Sequence, residues 1–275
     1  MSVDRLLARL VAWAPADDWA TPLVRRVCAQ TLGLPALPAP AAARGPADAE
    51  VAVTEFADQF SVDVSRVDDG QRSRLSAALG DKMFGTVVQM YLADFLPRVR
   101  AGLQALGHPA PWAAQPAEWS HADASGVLFG GLLTEVAQLQ SLDPVTTELV
   151  RLRGAAAHNC RLCKSLREGH ALDAGGSETL YEEITRFETS TRFTEAQQAA
   201  LRYVDALIWS PARIDSAVAA GVQEHFSDAQ AVELTLDVMR NATNKIMVSL
   251  GADAARVEHG TERYLVNADG QTVFG

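Results

Sequence analysis

Apolar residues recur at intervals of three and four along nearly the whole chain, and this spacing constrains the fold more than any other feature. Such intervals place apolar side chains on one face of an α-helix, whereas the strict alternation typical of strands is almost absent. The sequence therefore predicts an all-α body. Three clear stripes are Phe84-Val88-Tyr91-Phe95, Leu142-Val145-Leu149-Leu152-Ala156 and Val232-Leu236-Met239-Thr243-Ile246-Leu250.

Three segments interrupt or end this helical pattern. Proline recurs in residues 34–40 and again in residues 107–111. Because proline cannot continue a helix, we expect both segments to be linkers. In the tail, residues 263–266 and 271–274 flank a turn-forming stretch that ends in Gly270, which is typical of a β-hairpin. We expect a short hairpin there.

A weak internal repeat appears when the chain is shifted by 147 residues, which places Asp58 on Asp205, Arg66 on Arg213 and Asp81 on Asp228. Between the two halves, the expected order of helices agrees better than the individual residues do. We therefore predict a duplicated helical module whose N-terminal copy is degenerate. The two halves would be residues 1–112 and residues 113–275, either as separate domains or packed as one.

Charge and cysteine content restrict the class of protein. The chain has 24 Lys and Arg against 34 Asp and Glu, a net charge of -10, which disfavours binding to nucleic acid or to anionic membranes. No stretch has the roughly eighteen consecutive apolar residues of a membrane span, and Arg9 interrupts the N-terminal apolar run. Three cysteines exclude a disulfide-stapled scaffold and suit a reducing compartment, so we expect a cytoplasmic protein.

Two of the three cysteines form a C-x-x-C motif that follows a strong helix start. Asp143 is a suitable N-cap and Pro144 suits the first helical position. Asn159 is expected to cap a second helix. That helix would carry on one face Cys160, Cys163, Arg167 and His170.

This arrangement suits a reactive thiol. A thiol with a pKa of about 8.5 needs a helix N-terminus, a cation or a base to become a thiolate at neutral pH. Cys160 would have the helix N-terminus, and Cys163 would have Arg167 one turn further on. The second cysteine can capture a sulfenic acid or a mixed disulfide. Glu148 lies beside the apolar stripe of the preceding helix, so it is expected to point inward and to accept a proton in a relay.

Other interpretations of the pair remain open. Cys160, Cys163, His158 and His170 could bind zinc, although a second ligand pair is missing from the sequence. The two cysteines could also be inert core residues. A thioredoxin fold is disfavoured because a helix rather than a strand leads into the motif. Cys28 is isolated and is expected to lie in the core.

The motif resembles the signature of the alkylhydroperoxidase D and carboxymuconolactone decarboxylase family. The similarity rests on Leu142-Asp143-Pro144, on Glu148-Leu149-Val150-Arg151-Leu152 and on the cysteine pair, with weaker agreement downstream at Phe193-Thr194-Glu195, Phe226-Ser227-Asp228 and Asn241-Ala242-Thr243-Asn244. It covers residues 131–251, and residues 49–107 look like a degenerate second copy.

The resemblance implies an all-helical fold, a homo-oligomer and a redox pair that reduces hydroperoxides or a partner's disulfide. It also implies that Cys163 is the peroxidatic cysteine, that Cys160 resolves it, and that Glu148 belongs to a proton relay. No organic cofactor or metal is implied, only an external dithiol reductant, either a protein or a small thiol. The helix-dipole argument alone favours Cys160 as the more acidic thiol, so both assignments are kept, with more weight on Cys163.

One position departs from the family pattern. The family has His four residues after the second cysteine, where this chain has Arg167. Arginine stabilises a thiolate but cannot accept its proton at neutral pH. Three outcomes follow: His170 serves as the base, the proton passes directly to Glu148, or peroxidase activity is weak.

Two other functions compete with a thiol oxidoreductase. One is a lyase of the decarboxylase branch acting on a small carboxylated lactone, which would not use redox cysteines. The other is a non-catalytic assembly protein whose duplicated helices serve oligomerisation. The retained cysteine pair favours the oxidoreductase.

Overall fold

The fold, in a computed structural model that describes residues 2–16, 18–41 and 44–274, is mainly α-helical, as the apolar spacing predicts. Among those residues, no helix combines the length and the apolar character needed to cross a bilayer. The first helices are α1 (Val3–Val11), α2 (Ala20–Leu32), α3 (Ala47–Asp63), α4 (Asp69–Leu79), α5 (Met83–Ala105), α6 (Ser125–Val127) and, after a π-helical stretch over Leu128–Leu132, α7 (Leu133–Ala137).

The remaining helices surround the cysteine motif and pack back onto the first half of the chain. Residues 34–40 lie outside the helices, as expected, and so do residues 107–110, whereas Pro111 begins a short 3₁₀ turn over Pro111–Ala113. These helices are α8 (Pro144–Ala157), α9 (Arg161–Lys164), α10 (Gly169–Asp173), α11 (Glu178–Tyr181), α12 (Glu195–Trp209), α13 (Ser216–His225), α14 (Asp228–Ala242) and α15 (Asn244–Ser249).

A small sheet covers the end of the cysteine motif. The expected C-terminal hairpin is present as the antiparallel strands β2 (Glu262–Val266) and β3 (Thr272–Phe274). A strand that the periodicity does not predict, β1 (Leu166–Glu168), pairs in parallel with β2 and places Glu168 opposite Tyr264. This pairing joins segments nearly a hundred residues apart, so it overrides the local helix preference.

The 147-residue shift maps helical elements of the first half onto those of the second. The 3₁₀ turn Val64–Arg66 falls on the 3₁₀ turn Pro211–Arg213, and α3, α4 and α5 fall on α12, α13 and α14. One apolar core includes residues from both halves, among them Phe56 and Tyr203, which the shift also equates. The boundary near residue 112 stays a prediction.

A buried charge cluster connects the two halves. The side chains of Asp94, Arg98 and Lys245 are each at most 3% exposed. Arg98 Nη2 donates to Asp94 Oδ1 at 2.8 Å, and Lys245 Nζ donates to Asp94 Oδ2 at 2.5 Å. Arg98 also donates to the carbonyl oxygens of Ser61 at 2.9 Å and Ile208 at 2.6 Å. Burial lowers the pKa of Lys245, and the Asp94 charge opposes this shift.

Replacing Asp94 with Asn should destabilise the fold strongly, because two cations would then share the interior without a carboxylate. Breaking a buried ion pair on one side costs about 3–5 kcal/mol. Urea unfolding followed by circular dichroism measures this loss. Glu188→Gln is the matched control, since Glu188 pairs with Arg202 on the surface, where both side chains are more than 40% exposed, and it should cost under about 1 kcal/mol. Equal losses in the two variants would contradict the role given to the cluster.

Candidate functional site

Helix α8 begins as its sequence predicts and positions the carboxylate of the site. The backbone N–H of Thr146 donates to Asp143 Oδ1 at 2.9 Å, which makes Asp143 the N-cap, and Pro144 is the first helical residue. One turn later Glu148 is only 1% exposed. The expectation that Glu148 points inward is confirmed.

The cysteine helix is shorter than expected and is capped differently. Cys160 rather than Asn159 is the N-cap of α9, and the backbone N–H of Cys163 faces Cys160 Sγ at 3.2 Å. Asn159 instead takes a φ of 53°, a left-handed conformation that asparagine tolerates. Its side-chain oxygen accepts a hydrogen bond from Lys164 Nζ at 2.6 Å.

The two cysteines of the motif are joined by a disulfide and differ in accessibility. Their Cα atoms are 5.4 Å apart. Cys160 is completely buried in the apolar core, whereas Cys163 is partly exposed. The third cysteine, Cys28, is also fully buried, as expected, and burial raises the pKa of its thiol to about 12.

Arg167 and His170 do not share a helical face with the sulfurs, so that expectation is wrong. Helix α9 ends at Lys164, and Arg167 lies on β1 instead. Its guanidinium donates to the Lys164 carbonyl oxygen at 2.9 Å and to Glu178 at 2.8 Å. His170 lies on α10, where its Nδ1 donates to Glu168 Oε1 at 2.9 Å.

Arg151 connects the buried carboxylate to the cysteine segment. It binds Glu148 with two hydrogen bonds of 2.6 Å, and its Nη1 donates to the Cys163 carbonyl oxygen at 2.8 Å. Its Nη2 donates to the Leu166 carbonyl oxygen at 2.8 Å. Burial acts to lower the pKa of Arg151, but electrostatic interactions with Tyr264 and Glu148, together with the hydrogen bonds to Glu148, outweigh burial and raise it. A permanent cation therefore lies against the backbone of Cys163.

Two neighbouring cavities flank this arginine. The cysteine cavity, about 730 Å³, contains Cys160 and Cys163, and most of the surface that lines it is apolar. The polar cavity, about 690 Å³, contains Glu148 and His170. A common wall separates them and consists of Arg151, Arg240, Asn241 and Tyr264.

The C-terminal segment holds the cysteine helix in place. The carboxylate of Asp253 accepts the backbone N–H of Arg161 at 2.9 Å, and the Asp253 carbonyl oxygen accepts the N–H of Leu162 at 2.9 Å. Burial acts to raise the pKa of Asp253, but the hydrogen bonds from Arg161 outweigh burial and hold it below its usual value. The N–H of Glu262 donates to the Ser165 carbonyl oxygen at 2.8 Å. Hydrogen bonds to residues after position 250 therefore hold both the start and the end of α9.

The histidines considered as zinc ligands have other partners. His158 is buried and its Nδ1 lies 2.8 Å from Asn244 Oδ1. Burial lowers the pKa of His158 to about 3, so the imidazole is neutral at pH 7. Across residues 2–16, 18–41 and 44–274, the structure contains no group of three or more His, Cys, Asp or Glu residues arranged to hold a metal ion.

Comparison with known proteins identifies the family. Residues 128–206 match the model of the carboxymuconolactone decarboxylase family. This segment contains Glu148, both cysteines of the motif, Arg167 and His170. The chain belongs to the carboxymuconolactone decarboxylase family. The resemblance inferred from the sequence is confirmed.

Relatives of this family member extend the similarity over the whole chain. The Mycobacterium tuberculosis proteins named "Uncharacterized protein Rv2313c" and "Uncharacterized protein MT2376" are each 58% identical to it over 280 residues, which covers 100% of this chain and 99% of theirs. Escherichia coli "Uncharacterized protein YnjA" is 32% identical over 95 residues, 34% of this chain and 52% of that protein.

Several residues of the site were not singled out from the sequence. Arg151 stands three positions after Glu148, a spacing at which helical side chains of opposite charge meet, and this signal was available. Tyr264, Asp253 and Arg240 reach the site from distant segments. Their contributions depend on the tertiary fold, and no local pattern predicts them.

Replacing Asp253 with Ala should cost about 1–3 kcal/mol of stability, because the backbone N–H of Arg161 at the start of α9 loses its buried acceptor. Arg161→Ala is the control: it removes only the ion pair of a side chain that is 59% exposed and keeps the backbone N–H, so its cost should stay below about 1 kcal/mol. Urea unfolding measures both. A larger loss in Arg161→Ala would show that the ion pair, and not the capping contact, stabilises α9.

Proposed function

We propose that this protein is a thiol-dependent oxidoreductase that reduces a small hydroperoxide, or a partner's disulfide, through Cys160 and Cys163. The single observation that carries the proposal is the disulfide between these residues at a cavity wall. One sulfur is reachable from the cavity and the other is enclosed by the core. This asymmetry matches the roles of an attacking and a resolving cysteine.

Accessibility favours Cys163 as the attacking residue. It is partly exposed, whereas Cys160 is 0% exposed and cannot meet a substrate without movement of the core. Cys163 also lies in the first turn of α9, and Arg151 binds its carbonyl oxygen. A neighbouring cation stabilises a thiolate. These features support Cys163 over the assignment that the helix-dipole argument alone would favour.

The proposed cycle is balanced in atoms and electrons. The Cys163 thiol first gives up its proton, and the thiolate attacks one oxygen of the hydroperoxide. The O–O bond breaks, the leaving oxygen takes up one proton and departs as an alcohol, and Cys163 becomes a sulfenic acid. The Cys160 thiol then attacks the Cys163 sulfur, water leaves, and the disulfide forms. An external dithiol, either a protein or a small thiol, donates two electrons and two protons to restore both thiols. No metal or organic cofactor takes part in this cycle.

Proton transfer is proposed to use the residues around Glu148. The Glu168 backbone N–H donates to Glu148 Oε1 at 3.2 Å, and the Glu168 carboxylate accepts from His170. His170 is the proposed base that exchanges protons with solvent, since its side chain is 57% exposed. Glu148 positions the Arg151 cation. Arg167 is proposed to be a positioning residue, because it binds the Lys164 carbonyl at the end of α9.

The cellular setting of the activity is also a proposal. A disulfide that must be reopened in every cycle requires a compartment that supplies a dithiol, so we place the protein in the cytoplasm.

Homo-oligomerisation is proposed on the family resemblance. The exposed rings of Phe84 and Phe129, which are 48% and 39% exposed and stack at 6.4 Å beside the cysteine cavity, are candidates for burial in such an assembly.

Replacing either cysteine of the pair should separate the two roles. With an excess of dithiothreitol as the reductant, Cys163→Ser should lose peroxide consumption. Cys160→Ser that has been reduced and then freed of dithiothreitol should still consume one equivalent and accumulate a sulfenic acid on Cys163 that dimedone traps for mass spectrometry. Cys28→Ala is the matched control, and its rate should equal that of the wild type. If both Ser variants consumed peroxide as fast as the wild type, the proposal would fail and the lyase or assembly function would take its place.

Replacing His170 with Ala should slow thiolate formation in the reduced protein, because the proposed relay loses its solvent-exposed base. Direct general bases contribute roughly 100-fold or more, and a base acting through Glu168 should contribute about tenfold. The measurement is the pH dependence of Cys163 alkylation by iodoacetamide. His259→Ala, an exposed histidine outside the network, serves as control. Unchanged reactivity in His170→Ala would remove His170 from the mechanism.

A further inference from the structure

Arg240 lines the cysteine cavity, and its positive charge has no partner in the described part of the chain. The side chain is partly buried near the end of α14, on the wall that the two cavities share. Across residues 2–16, 18–41 and 44–274, its guanidinium makes no hydrogen bond and no ion pair. A charge that loses hydration without gaining a partner is unfavourable. An anion is therefore expected beside Arg240 in another state of the protein.

The other arginines near Cys163 are already occupied. Arg151 gives four of its five N–H groups to Glu148 and to two backbone carbonyl oxygens. Arg167 donates to a carbonyl oxygen at the end of α9 and to Glu178, and it is not among the described residues that line the cysteine cavity. Neither guanidinium can turn to the sulfur without giving up one of these bonds.

The walls of the cysteine cavity contain no carboxylate among the described residues. Besides the two cysteines, the ionisable side chains that line it are Arg151, Arg240 and Tyr264. Burial raises the pKa of Tyr264 to about 12, so its hydroxyl is neutral at pH 7. Asp237 lies on the same helix as Arg240 but lines only the polar cavity, and burial raises its pKa to about 7, so it carries only part of a charge. The group in this cavity that becomes an anion near neutral pH is therefore a cysteine thiol.

Reduction of the disulfide creates the missing anion. In the disulfide both sulfurs are neutral, whereas in the reduced protein a thiol can ionise. Cys163 is partly exposed, and Cys160 is enclosed by the core, so the thiolate that the cavity can reach is that of Cys163. A cation beside a thiol stabilises its thiolate. The unpaired guanidinium of the oxidised form thus suits the thiolate of the reduced form.

We propose that Arg240 is a catalytic residue of the cysteine pair, whose guanidinium binds the Cys163 thiolate and then the oxygen that leaves the hydroperoxide. This inference rests on the proposed function, in which Cys163 is the attacking thiol. It adds a residue from outside the segment 128–206 that matches the family model.

The guanidinium suits both stages of the attack. An electron pair of the Cys163 sulfur forms the new S–O bond, and the electron pair of the O–O bond moves to the leaving oxygen. That oxygen is negative until it takes up the equivalent of the proton that the thiol released. The negative charge therefore moves from sulfur to oxygen inside one cavity. A planar guanidinium with several N–H donors can hydrogen-bond both atoms without being rebuilt between the two stages.

The first test measures the pKa of the Cys163 thiol in the reduced protein, after excess dithiothreitol has been removed. Peptide mass spectrometry follows alkylation of Cys163 by iodoacetamide across the pH range in which thiols titrate. Arg240→Gln should raise this pKa by about 1 or more, because a neighbouring cation is lost. Arg240→Lys keeps the charge without the planar donors, so its pKa should lie between those of the wild type and Arg240→Gln. Arg213→Gln is the matched control, because it removes the same charge from an exposed side chain at another cavity, and it should leave the pKa unchanged.

The second test isolates the leaving oxygen. At a pH above the thiol pKa of every variant, Cys163 is a thiolate throughout, and its rate constants with tert-butyl hydroperoxide and with iodoacetamide are compared. Iodide leaves without needing a proton, so the iodoacetamide rate reports the thiolate alone. Arg240→Gln should lower the ratio of the peroxide rate to the iodoacetamide rate at least tenfold, and Arg213→Gln should not change it. An unchanged thiol pKa or an unchanged ratio in Arg240→Gln overturns the inference.

A measurement on the wild type decides the matter if circular dichroism melting shows that Arg240→Gln is unfolded. In ¹⁵N-labelled protein, the Nε–H signal of Arg240 is assigned by its absence in Arg240→Lys. This signal should shift with the titration of Cys163 in the reduced form and stay constant in the disulfide form. The same pH dependence in both forms overturns the inference.

The failure of this inference can be told apart from the failure of the proposed function. A wild-type protein that does not consume peroxide, or a Cys163→Ser variant that consumes it at the full rate, overturns the proposed function and the role of Arg240 with it. Peroxide consumption that depends on Cys163, together with an unchanged thiol pKa or rate ratio in Arg240→Gln, overturns the role of Arg240 alone.

Discussion

The carboxylate of Asp94 is the interaction on which the rest of the structure depends. It is completely buried and pairs with one cation from each half of the chain, Arg98 and Lys245. Arg98 extends this connection to carbonyl oxygens at the ends of α3 and α12. A charge cluster of this kind is weak evidence for high stability, since apolar residues can replace one without loss. Its consequence here is geometric, because its hydrogen bonds join α5 to α15, to α3 and to α12.

The candidate site is built from segments that are distant in sequence and that pack around this core. Helix α8 supplies Glu148 and Arg151, the tail supplies Asp253 and the strand that pairs with β1, and α14 supplies one wall of both cavities. Arg151 is where these pieces converge, because it binds a carboxylate on its own helix and two carbonyl oxygens of the cysteine segment. The cysteine pair is thus held by backbone contacts as much as by side chains.

Local patterns predict the helical class, the start of α8, the inward direction of Glu148 and the C-terminal hairpin, because each depends on interactions within a few residues. They fail just after Cys163. A helix continuing to His170 is locally reasonable, but the tail offers residues 166–168 a strand partner and ends the helix at Lys164. The unexpected members of the site, Tyr264 and Arg240 among them, share this origin. Tertiary contacts place these residues at the site, and the spacing of residues in the sequence does not predict such contacts.

The predicted repeat relates Asn241 to the buried charge cluster. The shift of 147 residues that equates Arg98 with Lys245 also equates Asp94 with Asn241. The acid of the first copy serves the cations of both copies, so the second copy has no structural need of its own acid at that position. Asn241 lines a cavity instead. Next to it is Arg240, whose equivalent in the first copy is Ala93. In terms of the predicted duplication, the first copy carries the acid of the shared charge cluster, and the matching position of the second copy lines a cavity.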